Sequence, residues 1–335
     1  MKPASLLRTT FLLVAVLLTF SCEEGAVTQD DSNAIPGRRD YAWVIDTINN
    51  PFLRFTNIWG NDSKNVWIAG AMMSDGLYKY DGSKWSLDNR VYISDPSTVW
   101  GYENDLWVGN DNGCIWKFTG SSYIQELNDF EVNGNLVSFY AMTGSSSTEI
   151  FAVGENFINP VLMKYSGMKW FIDKVLPDLG NFIQLKYSTK SDRYYIVQWL
   201  TDYSIKILEY NRKELKEIYE YPPSNGGPTI SIIDGYLYLV IEKKIFRYFN
   251  SKMEFIFEVN DPNFGGVVWG RNRNDVLIRM LDGIAHYNGT DWKYLLKSSE
   301  PIMLAPNCAL FSKEVFIPAK IRRTGYPIIY HGKLE

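Results

Sequence analysis

The chain has 335 residues, 46% of them hydrophobic and 15% aromatic, with 34 Lys and Arg set against 38 Asp and Glu. An acidic balance without a basic block gives a phosphate backbone nothing to hold, which excludes nucleic acid as a partner. Two histidines and three cysteines exclude a His-rich metal centre and a disulfide-dense scaffold, and no cofactor is expected.

Residues 1–21 place Lys2 and Arg8 ahead of the apolar run FLLVAVLLTF. That run is too short to cross the hydrocarbon core and reads as a secretory signal. The Ser21-Cys22 junction resembles a bacterial lipoprotein signal. The resemblance implies that Cys22 is lipidated and anchors the chain in the outer membrane of the cell envelope, and Glu23-Glu24 resembles an acidic pair that sends such proteins to the outer face. Thr19-Phe20-Ser21 also fits an ordinary small-x-small cleavage site, so simple secretion is the alternative. Residues 23–40 (EEGAVTQDDSNAIPGRRD) hold almost no large apolar side chain. With Cys22 they form a segment, 22–40, expected to be a flexible tether reaching roughly 60 Å.

From residue 41 onward the chain repeats itself. NIWGNDSKNVWIAG, then GLYKYDGSKW, recurs in altered form at Val99 to Tyr123, Tyr140 to Trp170 and Val268 to Trp292. Each copy offers four short strands of β-branched and aromatic residues separated by Gly, Asn, Asp and Ser turns, which makes one antiparallel sheet. Such a sheet cannot bury both faces alone, and radial stacking into a β-propeller covers each face with its neighbour. The markers Trp59, Trp100 and Met142 lie 41 and 42 residues apart, and Trp59 to Trp269 spans 210, or five steps of 42. Two weaker blades are therefore expected between Phe182 and Asn211 and between Thr229 and Phe255, and a seventh from Met303 to Gly332. The last copy lacks a fourth strand, while Tyr41 to Thr47 is an aromatic-led strand with no companions. The expectation is an all-β domain over 41–335, a β-propeller of seven four-stranded blades closed by the N-terminal strand in the last blade.

The repeat resembles bacterial extracellular propeller repeats of the form Trp-Gly, Asn-Asp-Val-Trp, Tyr-Asp-Gly-x-x-Trp. It does so through Trp59-Gly60, Asn65-Val66-Trp67, Tyr80-Asp81-Gly82 and Trp85, and again through Trp269-Gly270, Asn274-Asp275-Val276, Tyr287-Asn288-Gly289 and Trp292. The resemblance implies an exported or surface lipoprotein, and fold alone assigns no activity. YDGSKW also invites comparison with the Asp-box hairpin of sialidase-type propellers, but here Asp81 and Gly82 are adjacent where that motif separates them.

Little in the chain points to catalysis. His286 and His331 occupy the repeat position that holds Lys79, Lys117 and Lys164 elsewhere, so position explains them. Asp81 and Asp291 read as turn residues. Cys114 and Cys308 fall in blades two and seven and read as buried free thiols, with a disulfide as the alternative. Specificity is expected in the least repetitive segments, the loops from second to third strands. These would gather Met72, Phe157, Trp199, Tyr203, Arg322, Arg323 and Tyr326 on one face for a protein or glycan partner. The reading is a monomeric, non-enzymatic, membrane-tethered binding module. The alternative is an exported carbohydrate-active enzyme with carboxylates in the central funnel.

Overall fold

The computed structural model describes residues 35–71, 76–177, 180–223 and 227–335. The signal segment, Cys22 and Met72 lie outside the described residues. Seven sheets of antiparallel strands follow one another. Blade one holds Arg54–Asp62, Asn65–Ala71, Leu77–Tyr80 and Trp85–Leu87. Blade two runs from Pro96–Tyr102 to Tyr123–Leu127, and blade three from Ser138–Ser146 to Trp170–Val175. The two blades expected only from spacing are real: Gly180–Ser188 to Leu215–Tyr221 and Thr229–Ile233 to Lys252–Glu258. Blade six spans Phe264–Asn272 to Trp292–Lys297.

The first strand of each blade touches the first strand of the next, and the contacts run on through blade seven back to blade one. These strands therefore surround a central channel. The ring closes as the sequence predicts: Tyr41–Thr47 pairs with Pro327–Leu334 as the outermost strand of blade seven, with Trp43 opposite Gly332. The inner strand of that blade is split into Ile302–Leu304 and Ala309–Leu310. Trp85 of blade one donates its indole N–H to Asp46 across the seam at 3.1 Å.

The core is distributed, with one apolar cluster at each of the seven blade junctions. Alternation of side chains along a strand explains it. In Asn65–Ala71, Val66 and Ile68 face blade seven while Trp67 and Ala69 face blade two. A second strand sandwiched on both sides must be apolar at every position, which is why NVWIAG and its counterparts are nearly continuous hydrophobic runs.

Three details differ from the sequence reading. Register places Thr143 opposite Phe151, as Trp59 stands opposite Trp67 and Trp100 opposite Trp107. The marker position in blade three is therefore Thr143, and Met142 points the other way into the junction with blade two. Second, the last residues of the expected tether are laid against blade six. The Gly37 amide bonds to Asn274 O at 2.7 Å, and Arg39 pairs with Asp291 at 2.8 Å. Asp291 is thus an anchor for the incoming chain, and its turn is held by Asn288, whose Oδ1 accepts from the amides of Thr290 and Asp291. Third, a small hairpin, Glu131–Val132 with Asn135–Leu136, stands between blades two and three. Its Asn133-Gly134 turn has both residues at positive φ, 54° and 77°, a two-residue hairpin signal that was present in EVNGNL.

Candidate functional site: the upper rim and channel mouth

Antiparallel topology sorts the loops onto two rims. Loops from second to third strands, and links from one blade to the next, lie on the rim called upper here. The turns from first to second and from third to fourth strands lie on the lower rim.

The lower rim is built from tight polar turns. Asp81 Oδ1 accepts from the Ser83 hydroxyl at 2.7 Å and from the amides of Ser83 and Lys84. The Ser83 bond, with those two amides, lowers its pKa to about 2. Its role is the expected one of holding a turn. Among the described residues, Met168 is the one large exposed apolar side chain at a lower-rim turn.

The upper rim is different. Phe52, Tyr92, Phe157, Ile158, Trp199, Tyr203, Leu281 and Met303 are all exposed there. Phe157 is 82% exposed and Tyr203 60%, and both sit in the left-handed region, at φ 71° and 67°. That conformation costs a bulky residue about 1–2 kcal/mol and suits Gly or Asn. The loops that carry them are fixed. Asn156 caps its own turn by accepting from Asn159 N at 2.8 Å, and donates to Val132 O of the inserted hairpin at 2.9 Å. Asp202 Oδ1 accepts from the Ser204 amide at 2.9 Å and hydroxyl at 2.6 Å, and Tyr203 N donates to Leu200 O. Trp199 and Tyr203 line an open depression of about 350 Å³ with Gly180, Asn181, Leu200 and Thr201.

The residues singled out in the sequence share this rim but form two groups. Phe157, Trp199 and Tyr203 belong to adjacent blades three and four. Arg322, Arg323 and Tyr326 belong to blade seven, across the channel. Arg322 donates to Ile302 O at 3.2 Å, Arg323 pairs with Glu300 at 3.5 Å, and Tyr326 donates to Asn49 at 2.9 Å. The exposed Phe52 and Tyr92 lie in links between blades, outside the second-to-third-strand loops that the repeat pattern singles out.

The channel mouth is electrically divided. On the side of blades two and three, Tyr140 donates to Glu155 at 2.6 Å. Asp111 lies nearby with its Oδ1 buried and without a hydrogen-bond partner among the described residues. Burial raises the Asp111 pKa, with Asp95 and Glu155 adding to the effect and Ser97 and Arg54 opposing it. On the side of blades six, seven and one, Arg54, Arg279 and Lys320 line a cavity of about 170 Å³.

Deeper in the channel, Lys186 lies beside Asn307 and Cys308. Burial lowers the lysine pKa and raises the Cys308 thiol to about 12. Both described cysteines are free. Cys114 is buried as expected, whereas Cys308 is only partly buried on the channel wall, because it precedes the short strand Ala309–Leu310 instead of lying within it.

The histidines follow repeat position. Lys79, Lys117 and Lys164 lie over the rings of Trp67, Trp107 and Phe151 at 5.0, 4.8 and 5.3 Å. His331 stacks on Phe316 at 4.0 Å in the same register. His286, opposite Leu277, bonds to Asp275 at 2.9 Å.

No family model matches the chain, and no curated protein matches it. Solved structures do. A catalytically inactive virginiamycin B lyase from Staphylococcus aureus with quinupristin superposes with a TM-score of 0.65 at 12% identity, covering 88% of this chain and 100% of that one. YCF48 bound to D1 peptide gives 0.64 at 17% identity, covering 89% and 99%. BBS1N in complex with ARL6DN gives 0.61 at 11% identity, covering 89% and 98%. At these identities the likeness establishes the β-propeller fold, and the fold hosts lyases as well as protein-binding domains.

Proposed function

We propose that this is a non-enzymatic propeller of the bacterial cell envelope, tethered to the outer membrane through a lipid on Cys22, that binds a protein outside the cytoplasm with its upper rim. The observation that carries the reading is the pair Phe157 and Tyr203. Folding alone favours Gly or Asn at positive φ, and solvent exposure gives no burial energy in return. Large aromatics retained there on braced loops are explained by contact with a partner. YCF48 with a peptide and BBS1N with ARL6DN show that propellers of this shape take protein ligands, which supports a protein over a polysaccharide.

The test is a pull-down from the native envelope with intact protein against Phe157→Gly/Tyr203→Gly. Glycine relieves the backbone strain, so the variant should be at least as stable in thermal unfolding while retaining its partner about tenfold less. Equal retention by the two proteins would sink the rim as the binding face.

A second reading, an exported carbohydrate-active enzyme, is favoured by one observation: Asp111 is held toward its protonated form beside Glu155 at the mouth. A glycan cleaved by the native protein and spared by Asp111→Asn would shift the assignment to catalysis.

A further inference from the structure

The cavity of about 170 Å³ at the channel mouth is formed by the start of blade one, the end of the second strand of blade six, and blade seven. Its cations are Arg54, Arg279 and Lys320, its apolar wall includes Phe55, Met303 and Pro306, and no carboxylate lines it among the described residues. None of the three cations makes an ion pair within 4.0 Å among the described residues. Arg279 is the telling member. Its Nε is buried and has no hydrogen-bond partner among the described residues, and Arg322 adds a like charge nearby. Gly265 leaves the room that the side chain occupies, since a Cβ there would lie 2.9 Å from Arg279 Cγ. An Nε–H withdrawn from water without an acceptor is unfavourable for folding, so its retention needs another explanation. Buried polar atoms that lack partners in a folded protein mark places where a ligand or ion completes the set.

We propose that this cavity is a binding site for a small organic anion, an oxyanion head carried on an apolar body of about the size of a benzene ring. The head would take the free Arg279 Nε–H together with Lys320 or Arg54 in charge-assisted hydrogen bonds. The body would lie against Phe55, Met303 and Pro306. A cavity of about 150 Å³ accepts benzene in another protein, so the volume suits a body of that size. The site is separate from the aromatic rim of blades three and four, and it stands whether or not that rim binds a protein.

Titration calorimetry of the intact protein with benzoate tests the proposal, alongside benzyl alcohol, benzylamine and inorganic phosphate. Benzoate should bind saturably. The neutral alcohol, the amine and phosphate, which lacks the apolar body, should each bind at least about tenfold more weakly. Arg279→Gln should weaken benzoate about tenfold or more. Lys320→Gln, at a partly exposed residue whose ammonium makes no hydrogen bond or ion pair among the described residues, provides the same comparison if the arginine variant unfolds. Equal affinity for benzoate and benzyl alcohol, phosphate binding as tightly as benzoate, no saturable benzoate binding, or benzoate affinity unchanged in the folded variants would each overturn it.

Discussion

Lys186 occupies a place designed for a ring. It stands in register with Tyr195, where blades one, two and six put Trp59, Trp100 and Trp269 opposite their own second strands. Among the described residues the amine makes a single 3.4 Å bond, to Asn307, and burial lowers its pKa from 10.5. Between that lowered value and 10.5 the unfolded chain binds more protons than the folded one, so this group makes stability rise with pH across the window. The deficit is complete below the window and vanishes above it. Lys186→Met should therefore raise stability by about 1–2 kcal/mol at pH 7, with the gain shrinking toward pH 10.5. Denaturant unfolding at both pH values measures this, and an equal gain at the two would trace the effect to packing instead of charge. Repeat position identified the histidines correctly because cross-strand register is periodic. It could not identify Lys186 or Arg279, because desolvation depends on what the neighbouring blades place around a side chain.

At the scale of the element, blade seven depends on a strand from the other end of the chain. Trp43 packs against Gly332, where a Cβ would lie 2.7 Å from the indole. Gly332→Val should lift Tyr41–Thr47 from its partner, lowering stability by about 1–3 kcal/mol and speeding amide exchange in that strand while blades two to five keep theirs. Unchanged exchange at Tyr41–Thr47 would show that closure does not rest on this contact. A detached strand also leaves Pro327–Leu334 as an open edge, with a risk of association between copies. Strand closure was legible because a strand without companions and a blade missing one strand leave a single economical pairing. Blades four and five were legible only through spacing, since they lack the Trp-Gly and Tyr-Asp-Gly markers. The slip from Thr143 to Met142 has a simple origin. A count fixed at 42 residues ignores single-residue changes in loop length, and one residue reverses the face of a strand.

Over the whole molecule the two rims differ in chemistry, and the chain enters at one of them. Gly37 bonds to the turn of blade six at Asn274, and Arg39 to Asp291 in the neighbouring turn; both are lower-rim turns. If Cys22 carries the proposed lipid, the expectation is that the polar lower rim lies nearer the bilayer and the aromatic upper rim is presented away from it. Fluorophores on Thr290→Cys and Tyr203→Cys, read in liposomes holding nitroxide-labelled headgroups, test the arrangement. The Thr290 probe should be quenched more strongly than the Tyr203 probe, and Cys22→Ser should abolish quenching of both by releasing the protein from the vesicle. Stronger quenching at Tyr203 would mean that the exposed aromatics face lipid, and the upper rim would then be a membrane-contacting surface instead of a protein-binding one.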